Sequence, residues 1–281
     1  MRHSERECLN ACPERYRLTY IEGIKKQEWD ASVHHLNHGH AMHKALETHY
    51  KGGSWEEVKA AFLGEYPVSL DPEDKAKTPA NSIEALRQYI EYYAIQDAGW
   101  EVIECEEERQ VEIDGAEHDL HIDLIARNKQ SGGIYFWDHK MTGRAPSGTT
   151  WKGYELSAQI TRYTEYIAQK YEHCEGALIN NINFGFRERK WKGEPAGFWC
   201  RFERHVFNRT PSRIEYWKDS ERAWMATLSF YKSLDVWPKA LNKMCAYCEF
   251  YELCLSSGDE EVKRALYEVK GSNYPEIVVE D

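Results

Sequence analysis

The sequence predicts an α/β protein, and three observations carry that expectation. Apolar residues recur with helical period over 54–65 and 79–97, which reads as two amphipathic helices separated by a loop. From Gly99 the period changes to two, so 100–107, 116–126 and 133–139 read as strands, with a turn at Asp114–Gly115. Beyond the Gly/Pro/Ser-rich connection 143–153, a helix over 154–171 precedes strands over 177–186 and 197–207 and a long helix over 212–234. Helices and strands alternating in this way make a sheet with helices packed on it.

Composition narrows the class. A chain of 281 residues is long enough for one large domain with a real core. Ten tryptophans and 13% aromatic residues supply buried area, while 30% charged residues argue against a membrane protein. No apolar run approaches a membrane span, and the N-terminus, charged from Arg2, lacks the apolar segment of a secretory signal. A reducing, cytoplasmic setting follows. There, eight cysteines are metal ligands or buried thiols rather than disulfides. The net charge of −11 argues against indiscriminate nucleic-acid binding but allows a local basic groove, for which 15–26 and 187–192 are candidates.

Several residue sets carry chemistry. Cys12 sits on a turn before Pro13 and reads either as a metal ligand or as a buried thiol. Six of the twelve histidines fall between His34 and Tyr50. On a helix, Gly39, His43, Leu46, Glu47 and Tyr50 share one side, so His43 and Glu47 can approach one ligand and Gly39 leaves room for close backbone approach. A loose zinc-binding helix is the competing reading. Asp123 lies among apolar strand neighbours, so it is either paired, for instance with Arg127, or bound to a cation.

Asp138 and Lys140 end the apolar run 134–137 and, two residues apart, share a strand face. A carboxylate that holds a hard cation beside an ammonium that positions water suits phosphodiester hydrolysis. The alternative is a solvated strand end running into the Thr142–Gly143 turn. Gln159 and Tyr163 stand at i and i+4, a spacing that by itself serves helix packing. Trp217, Trp224 and Tyr231 recur every seven residues as a core stripe. Cys245, Cys248 and Cys254 form a compact thiolate set able to hold zinc or an iron–sulfur cluster with one distant cysteine. The tail after Lys270 is acidic and expected to fray.

In chain order these are Cys-Pro-x-x-Tyr at 12–16, Gly-x-x-x-His-x-x-Leu-Glu at 39–47, Asp123, Asp-x-Lys at 138–140, Gln-x-x-x-Tyr at 159–163 and Cys-x2-Cys-x5-Cys at 245–254. With those motifs the chain resembles the RecB-like branch of the PD-(D/E)XK nuclease superfamily, specifically the iron–sulfur exonucleases associated with CRISPR arrays and with viruses. Leu120 stands where that family often has glycine, three residues before its strand aspartate.

The resemblance implies a restriction-endonuclease-like α/β core, with a central mixed sheet flanked by helices and an iron–sulfur subdomain joining the two termini. It implies one nuclease domain over 1–270, with the iron–sulfur subdomain at about 8–25 plus 236–258, a helical insertion at about 54–97, the core at about 34–50 plus 99–207, and an acidic tail over 271–281. His43, Asp123, Asp138 and the His139 carbonyl would hold Mn2+ or Mg2+, Lys140 would orient the attacking water, and Glu47 would support the site. Gln159 and Tyr163 would position DNA. Cys12, Cys245, Cys248 and Cys254 would hold a [4Fe-4S] cluster, with Cys8 the rival fourth ligand and Zn2+ the rival occupant. The implied activity is degradation of single-stranded DNA from the 5′ end, with some endonuclease activity, in a bacterial, archaeal or virus-infected cell. Two other classes compete: a DNA-end-binding adaptor of a recombination or spacer-acquisition complex, and a zinc-ribbon interaction protein. The retained Asp138 and Lys140 argue against the first, and the second would explain the cysteines but not the set His43, Asp123, Asp138 and Lys140.

Overall fold

The computed structural model describes residues 3–26, 31–66, 74–113, 116–143, 146–190 and 192–269. The expected turn at Asp114–Gly115 and the tail from Lys270 lie outside the described residues. The chain begins with α1 (His3–Ala11), α2 (Pro13–Tyr16), a π-helical turn (Arg17–Ile21) and β1 (Ile24–Lys26). Three helices follow, α3 (Ala31–Tyr50), α4 (Trp55–Glu65) and α5 (Pro79–Asp97), and then β2 (Trp100–Ile113), β3 (Ala116–Asn128) and β4 (Ile134–Thr142). Next come α6 (Gly148–Glu155), α7 (Ala158–Lys170), β5 (Cys174–Arg187), β6 (Gly197–Phe207) and α8 (Pro211–Leu234). A 3-10 turn (Lys243–Tyr247), α9 (Tyr251–Leu255), α10 (Glu260–Leu266) and β7 (Tyr267–Val269) complete it.

Local sequence explains most boundaries. Ser54 and Glu57 form a reciprocal capping box that starts α4, and Thr78 caps α5 ahead of Pro79. The single helix expected over 154–171 is two helices. Ser157 has extended backbone and its hydroxyl accepts from the Ile160 N–H, so it caps α7 and ends α6 before it. The expected connection 143–153 likewise contains most of α6, started by a Ser147–Thr150 box.

The chain forms two compact units, 30–219 and 1–29 with 220–281. The larger unit is built on a five-stranded sheet of order β2-β3-β4-β5-β6, in which only β4 and β5 are parallel. This is the mixed α/β sheet the sequence predicts. On one face Ile160, Tyr163 and Ile167 of α7 pack against Leu120, Ile122, Phe136 and Ile179. On the other, Met42 and Leu46 of α3, Phe62 of α4 and Tyr89 of α5 pack with Ile182 and Phe184. Covered on both faces, β5 is buried from 176 to 185, and its three buried asparagines need internal partners. Asn180 donates to the Tyr89 hydroxyl, and Asn183 accepts from Thr142.

In the smaller unit, β1 and β7 pair antiparallel, Ile24 with Val269 and Lys26 with Tyr267. Its apolar clusters are Cys8, Leu9, Tyr16, Trp224 and Leu228, and Leu18, Ile24, Phe250, Leu253 and Tyr267. The aromatic stripe of α8 is core material, with Trp217 and Trp224 both buried. Among the described residues, no helix is long and apolar enough to cross a membrane.

Candidate metal centre at a strand fork

The β3–β4 ladder is short. It pairs 124–127 with 134–137 and stops, so Asp123 and Asp138 stand at the next register position, where the two strands part. Instead of a ladder bond, the His139 N–H donates to Asp123 Oδ2 at 2.6 Å. A fork of this kind spreads two carboxylates from within two strands without exposing them: Asp123 and Asp138 are 6% and 8% accessible. Asp138 is held by Lys140, whose Nζ lies 3.0 Å from Oδ1 and 2.8 Å from Oδ2. Phe136, two residues earlier on that strand face, packs edge-on against Tyr163 of α7. His139 faces the other way, stacked on Tyr50 of α3 at 5.6 Å and 9°.

A third carboxylate reaches the same place from β2. Cys105 pairs with Leu124 and Glu107 with Ile122, which puts Glu106 across from Asp123. From α3, His43 Nδ1 approaches both, 3.3 Å from Asp123 Oδ1 and 3.7 Å from Glu106 Oε1. Ligand atoms of His43, Glu106 and Asp123 all lie within 4.8 Å of one another, and no other such group occurs among the described residues. The His43 Nδ1 atom is closed to solvent and makes no hydrogen bond of good geometry. An imidazole whose buried nitrogen is met by two carboxylates fits a divalent cation of the magnesium or manganese type.

Charge is tuned by burial and by these neighbours. Burial pushes Asp123 up, but the adjacent His43 and the His139 N–H outweigh it and hold the carboxyl well below the usual range. Burial would lower His43, yet the adjacent Asp123 and Glu106 carboxylates raise it to about 10. Glu106 is pushed up by burial and pulled down further by His121 and His43, to about 2. Asp138 is raised by burial against the pull of Lys140, with the Asp123 charge adding to the rise. Lys140 rises in turn, since the attraction of Asp138 exceeds its burial cost, and so keeps its proton. Burial drives His139 down to about 3, so its ring is neutral.

The expected site residues are thus only partly drawn together. His43 and Asp123 meet, and Asp138 and Lys140 form the adjoining pair, outside the 4.8 Å group. Glu47 lines the same 420 Å³ cleft, with His40, Lys44, Glu65 and His121 around it, but its carboxylate is engaged by Lys44 at 2.6 Å and by Lys51. Gln159 lies 3.4 Å from the Tyr163 hydroxyl, which also accepts from the His121 N–H; Tyr163 is buried and Gln159 half-buried. Apart from the helix's own backbone, no described atom lies within 4 Å of where a Gly39 side chain would begin, so the helix surface is open there. Leu120 packs into the core beneath the site.

The cysteines are gathered into one unit but not into a closed ligand set. Cys12 and the 245–254 triple all belong to the smaller unit, yet no three of their sulfurs lie within 4.8 Å of one another. Burial raises Cys248 and Cys254, and Cys12 contributes to both shifts by its nearby charge. Cys8 is a core thiol beside Leu9, Tyr16 and Trp224, raised by burial to about 11.

Glu106 and its partner His121, 2.6 Å apart, escape the sequence reading. Glu106 sits in an acidic run, Glu104 to Glu108, where no spacing marks it out. Only the hairpin register across to Asp123 selects it.

Comparison with known proteins adds three findings. A search of protein families matches the PD-(D/E)XK nuclease superfamily over residues 3–255. A search of curated proteins returned no match. Among solved structures, the chain is similar to a candidate exonuclease from Eubacterium rectale, at 14% identity and a TM-score of 0.49, covering 92% of this chain and 93% of that one. It is also similar to SSO0001, at 12% identity and a TM-score of 0.30, covering 80% and 98%. Since the family match spans nearly the whole chain, this protein belongs to the PD-(D/E)XK nuclease superfamily and is a metal-dependent nuclease.

Proposed function

We infer that the protein is an exonuclease on single-stranded DNA, working from the 5′ end with some endonucleolytic cutting, within DNA processing of a cytoplasmic recombination, viral or CRISPR kind. The observation that supports its nuclease chemistry is the strand fork, where two buried carboxylates part beside a lysine that keeps its proton. His43, Asp123 and Asp138, with the His139 carbonyl, are the ligands assigned to Mn2+ or Mg2+. When bound, the ion supplies an acidified water and neutralises charge on the phosphate. The remaining work falls to side chains. Lys140 donates to the attacking water or the phosphate oxygen, and Asp138 holds that ammonium in place. Glu47, in the same cleft, supports the site by fixing His43 or a water, while Gln159 and Tyr163 position the DNA strand.

The same reading gives the smaller unit a [4Fe-4S] cluster on Cys12, Cys245, Cys248 and Cys254. In its favour is the unit that all four cysteines share. The terminal segments and the cysteine turn would then form the iron–sulfur subdomain of one nuclease.

The test uses 5′-labelled, 3′-labelled and circular single-stranded DNA with Mn2+, Mg2+ or chelator. Metal-dependent release of short 5′-labelled products, absent with Lys140→Ala, supports the reading. Release from the 3′ end alone overturns the polarity, and tight binding without cleavage favours an adaptor.

A further inference from the structure

Glu106 has a backbone that its place in a strand does not call for. Its φ is +48°, whereas the other five described non-glycine residues with positive φ all lie in turns or loops. Strain of this kind persists where the surroundings over-determine it, and it concentrates at functional sites. Here it accompanies a specific placement. Glu106 Oε1 is 3.7 Å from the orphan His43 Nδ1, and Oε2 is 2.6 Å from His121 Nε2. Like charges directly across a strand pair are unfavourable, and Glu106 faces Asp123. A cation between them reverses the sign of that interaction.

We propose that Glu106 is a ligand of the divalent ion together with His43 and Asp123, and that His121 is a positioning residue that fixes which Glu106 oxygen faces it. The proposal rests on the nuclease reading of this site and adds an arm to the ligands assigned there. His121 lies two residues before Asp123, so β3 supplies both a ligand and the residue that orients its neighbour on β2. Carboxylate–histidine pairs of this type fix the orientation of a ligand and tune its basicity. Two carboxylates and an imidazole bind an ion before DNA arrives and favour Mn2+ over Mg2+, because Mg2+ keeps most of its water and prefers oxygen alone.

The experiment titrates the full-length, DNA-free protein with Mn2+, reading free Mn2+ by its electron paramagnetic resonance signal. The intact protein is compared with Glu106→Gln, His121→Ala, Asp123→Asn and Glu65→Gln. Glu106→Gln is expected to weaken Mn2+ binding at least tenfold and His121→Ala about tenfold. Glu65→Gln, at the rim of the cleft, leaves binding unchanged. A parallel measurement reads the rise in unfolding temperature on adding Mn2+, which Glu106→Gln loses while unfolding at the intact protein's temperature without metal. If Glu106→Gln binds Mn2+ as the intact protein does while Asp123→Asn does not, the proposal is overturned and the nuclease reading stands. If the intact protein binds no Mn2+, both fall.

Discussion

Lys140 and Asp138 face each other across 2.8 Å with opposite demands on their protons, since burial favours a neutral carboxyl and the pair favours a charged amine. Removing the ammonium by Lys140→Ala takes away a donor to the reacting phosphate. Cleavage should fall by about 10²–10³-fold while DNA binding changes little, as single-turnover rates and a filter-binding isotherm would show. His43 sets the pH behaviour. Its folded value, raised to about 10, lies above the ordinary 6.5, so its proton stabilises the metal-free protein fully below about pH 6.5. That contribution is lost as pH rises through about 10. A divalent ion competes for the same nitrogen, so Mn2+ affinity should climb between about pH 7 and 9, by up to about tenfold per unit, with one proton released. Calorimetry in two buffers of different ionisation enthalpy counts that proton, and a flat affinity would contradict the assignment.

At the scale of elements, a buried network ties the strands and helices behind the fork. Arg204 of β6 donates to Asn180 at 3.2 Å, to the Tyr89 hydroxyl at 2.7 Å and to Asp97, and it stacks 3.5 Å over Tyr93. Asn180 in turn reaches His139 Nδ1 at 2.7 Å. Arg204→Ala leaves Asp97 without its cation in a mostly buried setting and should cost about 3–5 kcal/mol in urea unfolding. A loss under about 1 kcal/mol would show that water takes the place of the guanidinium. None of this network was legible in the sequence. Asn180 interrupts an apolar strand, and Arg204 alternates with other polar residues, so their meeting depends on the β4-β5-β6 register. The sequence singled out His43 with Glu47 and Asp138 with Lys140 because one helix turn or one strand repeat converts their spacing into a shared face, and Asp123 because it is a carboxylate among apolar strand neighbours. The break at Ser157 was missed because the helical period continues through it, and three-residue β1 and β7 are too short to show any period.

Over the whole molecule, the first and last described segments meet in one unit, joined by the β1–β7 pair and by shared apolar clusters. A cluster on Cys12, Cys245, Cys248 and Cys254 would cross-link those segments as well, so Cys12→Ala should lower both iron content and folded yield. Anaerobic purification followed by metal analysis and a visible spectrum checks this, with zinc at one equivalent and no iron as the opposing outcome. The central claim, however, concerns the fork. Its most direct test is Mn2+-dependent hydrolysis of single-stranded DNA by the intact protein beside Asp138→Asn of matched unfolding temperature. The account predicts cleavage that chelator abolishes and that Asp138→Asn reduces by about 10² or more. Equal cleavage by the two proteins would place the chemistry elsewhere.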